Sequence, residues 1–176
     1  MQNKKYQRIL ILGSIGSGKT TLANSIQKKK EIAVYHLDKE YWLPHWTRPE
    51  QQIWEEKIAK LISEDKWVIE GNYIETLPPR LARADLVIML DIPTRTCIRG
   101  VFWRTLKGQF IKRKDLGVGC KDAFNRSYQE LVEWAKSFKT VYYPALMQVI
   151  SQYPQVDVKI FKTRSSAKQF IERLTD

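Results

Sequence analysis

Apolar residues in this chain fall into five short blocks separated by segments of helical period. Arg8-Ile9-Leu10-Ile11-Leu12, Ala33-Val34-Tyr35-His36-Leu37, Trp67-Val68-Ile69 and Leu86-Val87-Ile88-Met89-Leu90 are near-continuous apolar runs, as expected of strands buried on both faces of a parallel sheet. Val156-Asp157-Val158-Lys159-Ile160-Phe161 alternates in polarity and predicts a fifth strand. Between the blocks, Leu22, Ala23 and Ile26 mark a helix that starts at Thr20. Thr47-Arg48-Pro49-Glu50 has the form of a capping box, and the helix it opens runs to about Ser63 with Trp54, Ile58, Leu61 and Ile62 on one face. Further helices are predicted from Thr94 to Leu106, Lys121 to Phe138, Tyr143 to Ser151 and Ser165 to Leu174. Strands alternating with helices predict an α/β fold, a parallel sheet covered on both faces. No Pro/Gly/Ser-rich linker interrupts the pattern, so residues 1–176 read as a single domain.

In such a sheet ligands bind beyond the carboxyl ends of the strands, which makes Gly13, Asp38, Glu70 and Asp91 the informative positions. Gly13-Ser14-Ile15-Gly16-Ser17-Gly18-Lys19-Thr20 is a complete G-x-x-x-x-G-K-T phosphate-binding loop, and it lies between the first strand and first helix as the motif requires. Its glycines let backbone N–H groups curl around an anion, Lys19 reaches the β- and γ-phosphates, and the Thr20 hydroxyl is left for Mg²⁺. A nucleoside triphosphate, ATP, is the expected ligand, bound by Gly13 to Thr20 and the adjoining Thr21.

Phosphoryl transfer needs in-line positioning and compensation of charge, and each part has a candidate. Glu70 is placed to hold Mg²⁺ directly or through water, or else to cap a helix. Asp38 can accept a proton from a substrate hydroxyl or orient it, or else cap its loop. Asp91, ahead of Ile92-Pro93 and the next helix, reads as a cap. Arg99, Arg104 and Arg126 either close over the γ-phosphate or are ordinary surface arginines. Tyr41, Trp42 and Trp46 offer a stacking wall beside Asp38 or pin their loop to the core. Neither His36 nor His45 has a second ligand at metal-binding spacing.

Composition narrows the setting. Cys97 and Cys120 are too few and isolated for a thiolate metal site and fit a reducing, cytoplasmic compartment. The first strand begins within ten residues of Met1, so no secretory leader is expected, and no apolar run approaches the roughly 18 residues of a membrane span. The formal charge is +11, from 30 Lys and Arg against 19 Asp and Glu, which suggests a polyanionic partner, nucleotide or nucleic acid. Nine of those cations, Arg95, Arg99, Arg104, Lys107, Lys112, Arg113, Lys114, Lys121 and Arg126, face only Asp115 and Asp122, a local net of +7. Gly108, Gly117 and Gly119 punctuate that stretch, which reads as a basic lid or a solvated face.

Taken together, residues 11–23 around the phosphate loop, His36-Leu37-Asp38, Trp67-Val68-Ile69-Glu70-Gly71-Asn72-Tyr73, residues 83–93 and Lys162-Thr163-Arg164-Ser165-Ser166-Ala167 resemble the adenylate kinase-related P-loop kinases. They are similar in particular to a bacterial subgroup known as DNA topology modulation proteins. The resemblance implies a P-loop NTPase of nucleoside-monophosphate-kinase-like fold with a five-stranded parallel sheet, an acceptor-binding region at about 38–63 and a lid at about 107–120. It implies that Lys19, Asp38, Glu70, Arg99, Arg104 and Arg126 serve phosphoryl transfer, that Thr20 and Glu70 serve the metal, and that Arg164 reads or stacks on the donor base. Two features depart from that family's pattern. Gly71-Asn72-Tyr73 replaces its Gly-Phe-Pro-Arg, with Arg80 several residues late, and an aromatic loop follows Asp38 where an arginine is usual. A hydroxyl acceptor is therefore at least as compatible as a phosphate. The subgroup's name keeps open a nucleotide-regulated DNA-associated protein without turnover, although no dedicated DNA-reading motif is visible.

Overall fold

The computed structural model describes residues 6–30, 32–108 and 126–174. Five strands, β1 (Arg8–Gly13), β2 (Val34–His36), β3 (Trp67–Glu70), β4 (Leu86–Leu90) and β5 (Asp157–Phe161), form one sheet in the order β2-β3-β1-β4-β5. All four pairings are parallel. The helices are α1 (Lys19–Lys30), α2 (Leu37–Tyr41), α3 (Gln51–Ser63), α4 (Leu77–Arg83), α5 (Thr94–Gly108), α6 (Arg126–Ser137), α7 (Tyr143–Ile150) and α8 (Arg164–Arg173).

Alternation along β1 explains the two-sided core. Leu10 and Leu12 face a cluster built with Trp54 and Ile58 of α3, Leu77 and Leu81 of α4, Phe138, and Leu146 and Ile150 of α7. Ile9 and Ile11 face the opposite cluster, with Leu22, Ala23 and Ile26 of α1, Cys97 of α5, and Ala167 and Ile171 of α8. Successive side chains of a strand point to opposite faces, so an all-apolar run is what a sheet covered on both sides demands. At the end of the sheet away from the phosphate loop, the Asp85 carboxylate accepts from the Gln7 and Arg8 amides at 3.0 and 2.8 Å. It also pairs with the Arg8 guanidinium at 2.7 Å, fastening the start of β4 to the start of β1.

Several elements differ from the sequence reading, each for a local reason. The second strand stops at His36, and α2 turns directly from Leu37, so the aromatic segment after Asp38 begins as a helix. The capping box at Thr47 does not form. Thr47 Oγ1 donates to the Pro44 carbonyl at 2.9 Å, and α3 starts only at Gln51, after an extended Glu50. Pro49 is the cause, since the residue before a proline is disfavoured in helical geometry. Helix α4 escapes the pattern because Pro78 and Pro79 read as breakers, yet proline is tolerated in a first helical turn, where its missing N–H has no partner to lose. A π-helical turn over Phe138–Tyr142 joins α6 to α7, merging two helices expected to be separate. The expected start at Lys121 and the lid from residue 109 onward lie outside the described residues; Lys107 and Gly108 close α5. Among the described residues, no helix is long and apolar enough to cross a membrane.

Candidate active site

The phosphate loop leaves β1 at Gly13 and enters α1 at Lys19. Asn72, just past β3, ties it down from one side: its Oδ1 accepts from Gly13 N at 3.1 Å and its Nδ2 donates to Gly13 O at 3.0 Å. From the other side Arg164 donates Nε to Ser17 O at 3.1 Å and Nη2 to Gly16 O at 2.6 Å. Helix α5 lies against the same turn. A Cβ at Gly16, whose φ is +70°, would collide with the Cys97 carbonyl, and a Cβ at Gly100 would collide with the Gly16 carbonyl oxygen. Only glycine permits that approach at either position. With its carbonyls anchored behind it, a loop of this type offers its amides to an anion. Lys19 Nζ donates to the Gly13 and Ser14 carbonyls at 3.1 and 3.0 Å, which holds its ammonium over the loop. Desolvation lowers the Lys19 pKa, against the opposing charges of Glu70 and Asp38.

Parallel register brings the acid of β3 to this loop. Glu70 is level with Ile11 of β1 and His36 of β2, so three neighbouring strands end together. Thr20 Oγ1 donates to Glu70 Oε1 at 2.8 Å, and His36 Nδ1 lies 2.9 Å from the same oxygen. Glu70 is only 4% exposed. Burial alone would raise its pKa, but the His36 hydrogen bond, the Lys19 charge and the Thr20 hydroxyl outweigh it and hold the carboxyl below the usual range. Thr20 and Glu70, the residues expected to serve Mg²⁺, thus touch. A hydroxyl and a carboxylate are the hard oxygen donors that Mg²⁺ takes from a protein when phosphates and water complete its octahedron. Among the described residues no group of three or more His, Cys, Asp or Glu side chains forms a separate metal cage. The role of His36 was missed because it was judged only as a metal ligand. Its signal was positional, the last residue of a strand beside the strand that ends in Glu70.

Asp38 lies on the same edge, in the first turn of α2, and Tyr73 OH donates to its Oδ1 at 2.9 Å. Asp38 is exposed where it lines the cleft. Desolvation and the Glu70 charge push its pKa above the ordinary carboxylate value, opposed by Lys19 and the Tyr73 hydroxyl. Tyr73 itself has φ +31°, a left-handed conformation uncommon for a bulky residue. Arg80 holds it there. The Arg80 guanidinium, fully buried, donates to the carbonyls of Thr76 and Gly71 at 3.0 Å and of Asn72 and Tyr73 at 2.6 Å. Burial lowers its pKa to about 9, still protonated at neutral pH. Arg80 is therefore a brace of the loop after β3 and has no free face toward a ligand.

These groups line one cleft of ≈ 1430 Å³. Ile15 to Thr21, Asp38 and Glu70 contribute to its wall, as do Arg48, Arg99, Arg104, Lys107 and Arg164. Gly13 and Ser14 anchor the loop beneath. Arg104 is close enough for its charge to act on both Lys19 and Asp38. The side chain of Arg126, and Lys112, Arg113, Lys114 and Lys121 of the basic stretch, lie outside the described residues. Asp91 pairs with Lys139 at 2.9 Å and does not line the cleft. The aromatic segment divides between core and cleft. Tyr41 packs on Trp54 and Tyr73 at ring-centroid distances of 5.0 and 4.8 Å and pins the segment, whereas Trp42 and Trp46 line the cleft.

No protein-family model matches the sequence, and no curated protein sequence matches it. Solved structures do match. Shikimate kinase from Acinetobacter baumannii, in complex with shikimate, is 14% identical, with 96% of this chain and 90% of that chain covered and a TM-score of 0.61. Deoxyadenosine kinase from M. mycoides with bound dATP is 14% identical, covering 94% and 97%, with a TM-score of 0.55. Shikimate kinase from Bacteroides thetaiotaomicron is 18% identical, covering 96% of each chain, with a TM-score of 0.52. The architecture, the strand order and these likenesses establish that the chain has the fold of the P-loop kinases, of the nucleoside-monophosphate-kinase type.

Proposed function

We propose that this chain transfers the γ-phosphoryl group of ATP to a hydroxyl of a small acceptor, a nucleoside, nucleotide or other hydroxylated molecule. The observation that carries the reading is the meeting, in one cleft, of the phosphate loop with its Lys19, the Thr20–Glu70 contact, and the Asp38 carboxylate held by Tyr73. A nucleotide-binding switch needs the first two; an acid presented beside them by a second element is what acceptor activation needs. In the reaction the acceptor oxygen bonds to the γ-phosphorus, the bond to the β–γ bridging oxygen breaks, ADP leaves, and Asp38 takes the acceptor proton. Its raised pKa suits it to that proton. Thr20 and Glu70 would hold Mg²⁺, which supplies neutralisation of charge on the β- and γ-phosphates. Lys19, with Arg99 and Arg104 from α5 and Arg126 from α6, would compensate the charge that spreads over the transferring group. Arg164, already bonded to the loop, is positioned to support the donor nucleotide from behind.

Acceptor-dependent ADP release across nucleosides, nucleotides and sugars tests the reading. Asp38→Asn should lower turnover by about 10²–10⁴-fold while ATP binding by calorimetry persists. Lys19→Ala should lose ATP binding. Absence of acceptor-dependent release with every class, or full turnover in Asp38→Asn, would refute phosphotransfer.

A further inference from the structure

The six tryptophans of the chain divide into two sets. Trp54 and Trp67 are core residues, 5% and 0% exposed. The other four, Trp42, Trp46, Trp103 and Trp134, all line the cleft, and Trp46 and Trp103 remain 38% and 58% exposed. Large aromatic faces left open in a concave site are apolar surface that a ligand can withdraw from water.

Trp42 and Trp46 adjoin Asp38 through an unbroken set of ring contacts. Tyr73, which donates to Asp38, lies 4.8 Å from Tyr41; Tyr41 meets Trp42 edge-on at 5.0 Å and 84°; Trp42 meets Trp46 at 5.5 Å and 74°. The corner made by the two indoles is built rigidly. Pro44–Trp46 form a 3₁₀ turn closed by a bridge between Leu43 and Thr47, and His45 and Trp46 have φ of 60° and 61°. Non-glycine residues in that region store strain, which persists where the surrounding structure fixes a functional geometry. A preformed corner also loses little freedom when it is occupied.

Three polar groups beside this corner are already taken. Both ends of the Asn72 amide are bonded to Gly13, the Tyr73 hydroxyl is given to Asp38, and Arg80 is sealed on backbone carbonyls. Asp38 keeps a carboxylate oxygen that Tyr73 does not use. Glucose has no aromatic face to cover the indoles, and Arg48 and Arg104 also line the cleft, so the polar lining does not select against a phosphate elsewhere on the acceptor. Indole faces with a single acceptor oxygen fit a flat ring with one reacting hydroxyl. Resting on the phosphotransfer reading above, we infer that the acceptor is a planar heteroaromatic molecule carrying a hydroxyl, stacked in the Trp42–Trp46 corner with that hydroxyl on Asp38.

The test is calorimetric, on the full chain with the donor site filled by saturating ADP and Mg²⁺. Thymidine, adenosine and pyridoxine are the aromatic probes; ribose and glucose are the non-aromatic contrasts. At least one aromatic probe should bind at one equivalent, about tenfold or more tighter than ribose and glucose. Trp46→Ala should weaken it about tenfold, in line with the loss of one stacking partner, and Trp46→Phe, which keeps an aromatic face and guards against a folding artefact, should restore most of the binding. Tighter binding of ribose or glucose, binding of none of the aromatic probes, or unchanged binding in Trp46→Ala each overturns the inference. Binding is read without turnover, so the two readings fail separately: an aromatic probe that binds while no acceptor class elicits ADP release sinks phosphotransfer and leaves the stacking site standing.

Discussion

Replacing Arg80 with Met keeps the side chain's length and apolar stem and removes four donations, to the carbonyls of Gly71, Asn72, Tyr73 and Thr76. A buried acceptor stripped of its donor costs about 1–3 kcal/mol, more when the donor was charged. Against that stands relief of the guanidinium's own desolvation, an effective several kcal/mol, since among the described residues its hydrogen-bond partners are backbone carbonyls. With four carbonyls affected and partial relaxation of a loop that borders solvent, the net loss should be about 3–5 kcal/mol, the scale seen when one partner of a buried charged network is deleted. For a chain of this length that corresponds to a fall in Tm of roughly 6–20 °C at about 2–4 °C per kcal/mol. Urea denaturation gives the free energy and calorimetry gives Tm. The phenol of Tyr73 would also lose its imposed φ, so turnover in the surviving folded fraction should fall while ATP affinity, set by the loop of Gly13 to Thr20, stays near wild type. A destabilisation below about 1 kcal/mol, or a variant that binds ATP poorly but turns over bound substrate normally, would refute the idea that Arg80 braces the Asp38 side of the cleft.

Gly100→Ala should weaken ATP binding at least tenfold by calorimetry despite the better helix propensity of alanine, because its methyl meets the Gly16 carbonyl, a backbone atom that cannot swing aside; unchanged affinity would show that the loop yields. Glu70→Gln preserves shape but not charge, so turnover should drop sharply while nucleotide binding largely survives, and equal turnover would remove Glu70 from the phosphoryl-transfer machinery. Asp85 bears on acid stability: burial alone would raise its pKa, but the bond and charge of Arg8 and two backbone amides hold it below the unfolded value. Its contribution is therefore complete above the unfolded pKa of about 4 and lost as pH falls through the depressed folded value. Asp85→Asn should flatten that part of the urea-stability profile, and an identical profile in the variant would refute the linkage.

Legibility in the sequence followed the range of the forces involved. Four of the strands and the phosphate loop were readable because their signals are local, a continuous apolar run or a fixed spacing of Gly, Lys and Thr. Glu70 and Asp38 were readable one step further, since a parallel sheet puts every strand's end at one edge. The role of His36 was not, because its meaning lies in the register between β2 and β3, which no single segment encodes. Arg80 stood out only as an arginine too late for the family's motif, and only the left-handed turn at Tyr73 shows why its donors point inward. Gly100, in mid-helix, carries no local signal at all, for its necessity comes from a carbonyl more than eighty residues earlier. Thr47 misled in the other direction, with a capping pattern overruled by the restriction that Pro49 imposes on Arg48.

The contact between Arg164 and the carbonyls of Gly16 and Ser17 joins positions 148 and 147 residues apart. At ordinary rates of translation, roughly 5–20 residues per second, the phosphate loop leaves the ribosome on the order of ten seconds before the side chain that grips it from behind has been made. During that interval β1, β3 and β4 can associate, but the turn between β1 and α1 lacks its rear support. A nascent chain stalled before residue 164 should consequently fail to retain ATP, and cellular nucleotide would begin to stabilise the protein only once the arginine has emerged and docked.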